Sequence, residues 1–282
     1  MTHHILTLQC PDRPGIVAAL ARGIGRADGN ILDSAQFSDP GTGLFCVRTE
    51  LESPLDDTAR LLELIGEELT AYSPELTLRP KDHRRRALLM VSKIDHCLVD
   101  LLYRWDRGEL PVDIPVVVSN HEDLRAIVEY YGIPFVHVPV TAETKPEAEA
   151  RLFELVEEHQ VDVVVLARYM QVLSDDACRR LAGRAINIHH SFLPGFKGAK
   201  PYHQAHDRGV KLIGATAHYV TADLDEGPII EQDVVRVSHT RTAPEMVRLG
   251  RDVERLVLSR AVAAHAEDRV FLCGTRTVVF AE

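Results

Sequence analysis

An amide, an imidazole and a carboxylate stand in this chain at a spacing that suits chemistry on a small carbonyl. Asn187 and His189 lie two residues apart at the end of the apolar run Ala185-Ile186-Asn187-Ile188-His189, and Asp225 follows inside Asp-Leu-Asp-Glu-Gly-Pro. An amide N–H can stabilise negative charge developing on a carbonyl oxygen. An imidazole can carry a proton to a leaving nitrogen, and a carboxylate can orient that ring, favour its charged form and hold a water. His190 is an extra polar group beside His189 that can hold an attacking water. Taken singly, Asn187 reads as a strand-end cap, His189 as a core histidine and Asp225 as a turn residue before Gly227-Pro228. Their combination favours a site. Ser191 reads as a local structural hydroxyl, and His203 and His206 as residues of a helix surface. No metal is expected. The His189-His190 pair lacks acidic or cysteine partners at ligand spacing, and this chemistry needs no Lewis acid.

The elements that must position these groups follow from the hydrophobic rhythm. From residue 87 onward, short apolar runs (87–91, 114–119, 134–138, 161–166, 185–188) alternate with helical patterns (94–107, 121–131, 146–159, 174–182). That alternation predicts a mostly parallel sheet covered on both faces. Ligands of such sheets bind beyond the carboxyl ends of the strands, where Asn187 and His189 stand. Strands over 211–220 and 228–236 and a helix over 243–265, with Met246, Val253 and Val257 on its apolar face, complete this part.

The first 80 residues have a different order. A strand (3–10) leads through Pro14 into a helix with Ile16, Leu20 and Ile24 on one face, ended by Gly29-Asn30. Strands over 31–38 and 44–51 join across Asp39-Pro40-Gly41, and a helix (55–70) and a strand (75–79) follow. This is a βαββαβ, ferredoxin-like unit. The polar stretch 79–86 separates the two parts, which gives an expected division into 1–83 and 84–282.

Composition narrows the classes of function. With 282 residues, 45% hydrophobic and 26% charged, the chain has the make-up of a globular protein of two domains, or one large one. A formal net charge of −10 argues against nucleic acid as a partner, and Arg84-Arg85-Arg86 read as a solvated linker. No apolar run is long enough to span a membrane, and the first residues lack the pattern of a secretory signal. Five scattered cysteines fit neither a disulfide framework nor a structural zinc site. A cytoplasmic location is expected.

The second part resembles the folate-dependent formyltransferase domain. The family's pattern Asn-x-His-x-Ser-x-Leu-Pro stands here as Asn187, His189, Ser191, Leu193 and Pro194. His218 and Val220 match a later His-x-Val, and Asp225, Gly227, Pro228, Ile229 and Ile230 a further motif. The first part resembles an ACT domain, a ferredoxin-like regulatory module, through Asp12-Arg13-Pro14-Gly15-Ile16-Val17. The pairing, with the strings at 92–104, 117–121, 167–171 and 186–194, resembles the formyltetrahydrofolate deformylase family.

The resemblance implies a Rossmann-like α/β catalytic domain that hydrolyses 10-formyltetrahydrofolate, in one-carbon metabolism and purine biosynthesis, without a cofactor. It implies Asn187, His189 and Asp225 as catalytic residues. It places the pterin between backbone segments 168–173 and 220–225, with Arg168, Met170, Gln171, Val172, Leu173, His218 and Val220 as substrate-binding positions. Lys197 and Lys200 are candidates for the folate's anionic tail. Asp12, Arg13 and Gly15 form a turn at a helix start that can receive a small amino-acid effector. Ferredoxin-like modules expose sheet edges that pair, so a homo-oligomer is expected.

One departure bears on the acceptor. The glycinamide ribonucleotide transformylase branch carries a Gly/Ser-rich phosphate loop after its first strand. Here Ser92-Lys93-Ile94-Asp95-His96 occupy that position with no glycine, which points to water as acceptor. The alternatives are a formyltransferase acting on an amine and a non-catalytic folate or amino-acid sensor.

Overall fold

The structure, a computed structural model, describes residues 1–195 and 201–281. It divides into two compact units, Met1–Arg84 together with Glu267–Glu282, and Arg85–Ala266.

The first unit is built from β1 (Thr2–Pro11), α1 (Ile16–Arg26), β2 (Asn30–Asp39), β3 (Leu44–Ser53), α2 (Thr58–Leu69) and β4 (Glu75–Pro80). The strands form an antiparallel sheet in the order β2-β3-β1-β4. Alternate residues of β1 (Leu6, Leu8) pack on Ile16, Leu20 and Ile24 of α1 and Leu61 and Ile65 of α2. The apolar stripe of each helix is thus matched to one face of the sheet. Asp57 caps α2 by accepting from the amides of Ala59 and Arg60. β2 lies at the sheet edge and exposes Ile31, Leu32 and Phe37.

The second unit runs β5 (Arg85–Val91), α3 (His96–Asp106), β6 (Val112–Ser119), α4 (Arg125–Tyr130), β7 (Phe135–His137), α5 (Lys145–Glu158) and β8 (Val163–Leu166). It continues with α6 (Asp175–Arg180), β9 (Ala185–His189), α7 (Pro201–Arg208), β10 (Leu212–Tyr219), β11 (Ile229–Arg236) and α8 (Ala243–Ala266). The sheet order is β11-β10-β9-β8-β5-β6-β7. The strands from β9 to β7 are parallel, and β10 and β11 are antiparallel. Leu88 and Met90 join a core with Leu152 and Leu155 of α5 and Ala177 of α6, while Leu89 and Val91 between them are also buried. That double-sided burial explains why the parallel strands read as continuous apolar runs.

The chain leaves β5 toward β7 and returns on the other side of β5 as β8. The crevice beyond the carboxyl ends of β5 and β8 is therefore the topological switch point. Ser92 ties its rim together, donating to Asn120 Oδ1 at 2.7 Å and accepting from the Met170 amide at 3.0 Å.

Residues beyond α8 depart from the expected continuous segment 84–282. They form a hairpin, β12 (Val270–Cys273) and β13 (Arg276–Val279), that packs within the first unit. Phe271 and Cys273 are buried with Cys46, Gln9 Nε2 donates to the Leu272 carbonyl at 2.7 Å, and Arg276 Nη2 meets both Asp39 oxygens at 3.0 Å. The alternating apolar residues of the hairpin match this sheet-based core rather than the helical layers of the second unit. Among the described residues, no helix is long and apolar enough to cross a membrane.

Candidate active site

β9 and β10 bring the amide and imidazole groups together through their register. Asn187 on β9 lies directly across from His218 on β10, and Asn187 Nδ2 is 3.2 Å from His218 Nε2. His218 Nδ1 lies 2.9 Å from the Tyr219 carbonyl. A carbonyl only accepts, so this assigns the ring hydrogen to Nδ1 and leaves Nε2 to accept from the Asn187 amide. Burial lowers the His218 pKa, with the Tyr219 carbonyl and Asp225 opposing in part. The ring is neutral and fixes which way the Asn187 amide faces.

His189, the last residue of β9, places Nδ1 3.0 Å from Asp225 Oδ1, and their side chains are 6% and 9% exposed. Burial alone would raise the Asp225 pKa. The His189 hydrogen bond and the nearby imidazoles outweigh it, so the carboxyl lies below its ordinary value. With Nδ1 turned to the carboxylate, His189 Nε2 points away from Asp225, and that buried atom has no partner among the described residues.

Local devices hold these groups. Asp225 adopts a left-handed backbone, φ 58, a conformation short polar side chains tolerate. A Cβ at Gly227 would lie 1.7 Å from the Tyr219 carbonyl oxygen, so glycine is required for the 225–228 turn to lie against β10. Thr216 accepts from the Leu193 amide at 3.0 Å and donates to the Ser191 carbonyl at 2.9 Å; Gln232 donates to both Thr216 and the Leu193 carbonyl. The segment after His190 is thereby fastened to β10 and β11. Ser191 itself donates to the Gly195 carbonyl at 2.8 Å, the local role expected of it.

The groups line a cavity of about 600 Å³, a size suited to a cofactor-sized organic ligand. Arg168, Met170, Gln171, Val172, Leu173, His218 and Val220, the expected substrate-binding positions, all line it. His190 also lines it, 5.2 Å from the His189 ring and 6.1 Å from the Tyr202 ring between centroids. Burial, with the Arg168 charge added, lowers the His190 pKa to about 4, so it is neutral near pH 7. His203 lines the cavity from the exposed side of α7, and His206 is exposed. Lys197 and Lys200 lie outside the described residues. In the first unit, Asp12, Arg13 and Gly15 adjoin at the start of α1, where Gly15 is the N-cap with φ 96; all three are exposed.

The same cavity holds a group that motif reading missed. Glu254 of α8 is 1% exposed, and its carboxylate accepts from Tyr202 Oη at 2.8 Å and His96 Nε2 at 2.9 Å. Arg168 Nε lies 3.4 Å away. Burial would raise the Glu254 pKa, but the His96 bond, the Arg168 charge and the Tyr202 bond bring it below its ordinary value. His96, Cys97 and Glu254 offer ligand-type atoms within 4.8 Å of one another. They suit a cation poorly. Burial, and then Glu254, push the Cys97 thiol far above its ordinary value, and the arginine already balances the carboxylate. Arg251, also unanticipated, is an exposed cation on the cavity lining.

Comparison with known proteins agrees with this architecture. Residues 85–262 match the family described as formyl transferase, and residues 4–65 match the ACT domain. The second unit is therefore a formyl transferase domain. A formyltetrahydrofolate deformylase of Corynebacterium sp. (strain P-1) is 49% identical over 280 residues, covering 98% of this chain and 97% of that one. The crystal structure of a formyltetrahydrofolate deformylase from Pseudomonas syringae pv. tomato superposes with a TM-score of 0.96 at 50% identity, covering 100% of this chain and 95% of that one. Glycinamide ribonucleotide transformylase 1 from Symbiobacterium toebii superposes with a TM-score of 0.68 at 30% identity, over 73% of this chain and 98% of that one. The chain belongs to the formyltetrahydrofolate deformylase family, whose members are hydrolases.

Proposed function

We propose that this chain hydrolyses 10-formyltetrahydrofolate to formate and tetrahydrofolate at Asn187, His189 and Asp225. The observation that carries this is the pairing of His189 Nδ1 with Asp225, which leaves a buried Nε2 without a partner among the described residues, in one cavity with an amide aimed by His218. In this reading His189 takes a proton from the attacking water as oxygen bonds to the formyl carbon. The carbonyl electrons move onto the formyl oxygen, where the second Asn187 amide hydrogen stabilises them. His189 then gives its proton to N10 as the carbon–nitrogen bond breaks, and Asp225 stabilises the imidazolium in between. Neutral His190 holds the water. The pterin lies between segments 168–173 and 220–225, and Arg251 meets the anionic folate tail.

Purified protein supplied with 10-formyltetrahydrofolate and no amine tests this. Formate release that disappears in Asn187→Ala and Asp225→Ala is expected. Silence until glycinamide ribonucleotide is added would instead establish a formyltransferase, and binding without turnover a sensor. The first unit is proposed to take a small amino acid at Asp12, Arg13 and Gly15 and to tune the rate. The exposed apolar side chains of β2 are proposed to join copies of the chain into a homo-oligomer, which light scattering of the wild type and of Phe37→Glu can test.

A further inference from the structure

Glu254 is held by more donors than a helix residue needs for its own packing. A phenol from α7, an imidazole at the start of α3 and a guanidinium from the segment after β8 converge on one carboxylate that is 1% exposed. The carboxylate can only accept, so His96 presents its Nε2 hydrogen, and His96 Nδ1 is buried without a partner among the described residues. Two backbone features serve this convergence. Arg168 holds a left-handed φ of 65, an uncommon conformation for a long side chain. A Cβ at Gly250 would lie 2.0 Å from the Tyr202 ring, so only glycine lets the tyrosine lie against α8 and reach Glu254. Guanidinium, imidazole N–H and hydroxyl together are a donor set that recognises oxyanions. His96 also ends the glycine-free loop 92–96 at the switch point, in the same cavity as His189 and Asp225.

We infer that Glu254 is an internal anion that fills a cradle able to take the phosphate or carboxylate of an acceptor molecule, and that it thereby reserves the formyl carbon for water. This rests on the hydrolytic reading above and names the residue that enforces it. Tyr202 and His96 donate to Glu254, and Arg168 Nε stands 3.4 Å from it, so an anionic acceptor would have to displace a covalently attached competitor.

Glu254→Ala in the full-length protein, titrated with inorganic phosphate and separately with acetate, tests the inference. The variant retains the three donors around a space vacated by a carboxylate. Its thermal midpoint is expected to rise by roughly 3–6 °C at phosphate about ten times its Kd, while the wild type shifts by less than about 1 °C. Acetate is expected to restore part of the lost formate release. A folded Glu254→Ala whose midpoint answers to phosphate and acetate no more than the wild type does would overturn the inference. Should that variant not fold, Glu254→Gln keeps the shape without the charge. Its kcat is then expected to fall at least about tenfold with KM within about threefold, and a parental kcat would overturn the inference. Wild-type protein that releases no formate would break the hydrolytic reading instead, leaving the phosphate response of Glu254→Ala as a separate readout.

Discussion

Asp225 and Glu254 are two carboxylates of one cavity, each bonded to a histidine, yet they are finished to different degrees. Asp225 binds one nitrogen of His189 and leaves the other without a partner among the described residues. Glu254 is engaged by His96, Tyr202 and Arg168 together. Low dielectric strengthens a satisfied cluster and makes an unsatisfied polar atom costly. A bare ring nitrogen is therefore retained where chemistry needs a free valence, and a carboxylate gathered by several donors where shape and charge must not change. Both depend on strained or sterically exacting backbone: left-handed Asp225 with Gly227 on one side, left-handed Arg168 with Gly250 on the other.

Several variants would sharpen or break this contrast. Asp225→Asn is expected to have the largest effect, about a 10³-fold loss of kcat with KM within about threefold, because the carboxylate acts on the imidazolium formed in the transition state. Steady-state kinetics that showed weakened binding at unchanged kcat would remove Asp225 from the chemistry. His218→Leu should cost about tenfold to a hundredfold in kcat by freeing the Asn187 amide to turn, approaching but not exceeding the about 10²–10³ expected for Asn187→Ala. Equal rates in His218→Leu and wild type would mean the strand alone orients the amide. Gly250→Ala should lose about tenfold in kcat and about 2 kcal/mol or more of stability by forcing Tyr202 off α8, read by kinetics and chemical denaturation.

A pH experiment follows from His190. Its folded pKa of about 4 is below the ordinary 6.5, so the unfolded chain binds a proton first as pH falls. The resulting stability is fully present above about pH 6.5 and is lost progressively down to about pH 4, a contribution on the order of 3 kcal/mol. Denaturation curves for His190→Asn should show less acid sensitivity across that window; identical curves would mean the ring is not held neutral. The smallest and most local effect is expected at Arg13→Ala, which should weaken the kinetic response to an amino-acid panel. A response that survives intact would move the effector away from the start of α1.

Much of the catalytic half was legible in the sequence, for physical reasons specific to each element. Apolar runs such as 87–91 and 161–166 are too short for helices and read as strands covered on both sides, and Asn187 and His189 stand where such a sheet binds ligands. Asp225 was legible because Gly227 and Pro228 mark the turn that carries it. Glu254 was not, because it sits among charged residues in mid-helix and a helical glutamate is ordinarily solvated. The signal was positional: Glu254 follows Gly250 by four residues and precedes Val257 by three, which puts it on the buried face of α8. The hairpin after residue 266 was missed for another reason. Its alternating apolar residues and the Gly274 turn (φ 67) were readable as strands. The contacts of Phe271 and Cys273 with Cys46, and the bonds of Leu272 to Gln9 and Arg276 to Asp39, reveal that it belongs to the first unit, and pairing so distant in sequence leaves no local trace.

The central claim is that solvent, rather than an amine, receives the formyl group at the His189–Asp225 pair. Turnover of 10-formyltetrahydrofolate in water enriched in oxygen-18, followed by mass spectrometry of the formate, tests it most directly. One solvent-derived oxygen per enzyme-released formate, with release abolished in Asp225→Asn, is the predicted result. Unlabelled formate, or a formyl group that leaves only upon addition of an amine, would contradict it.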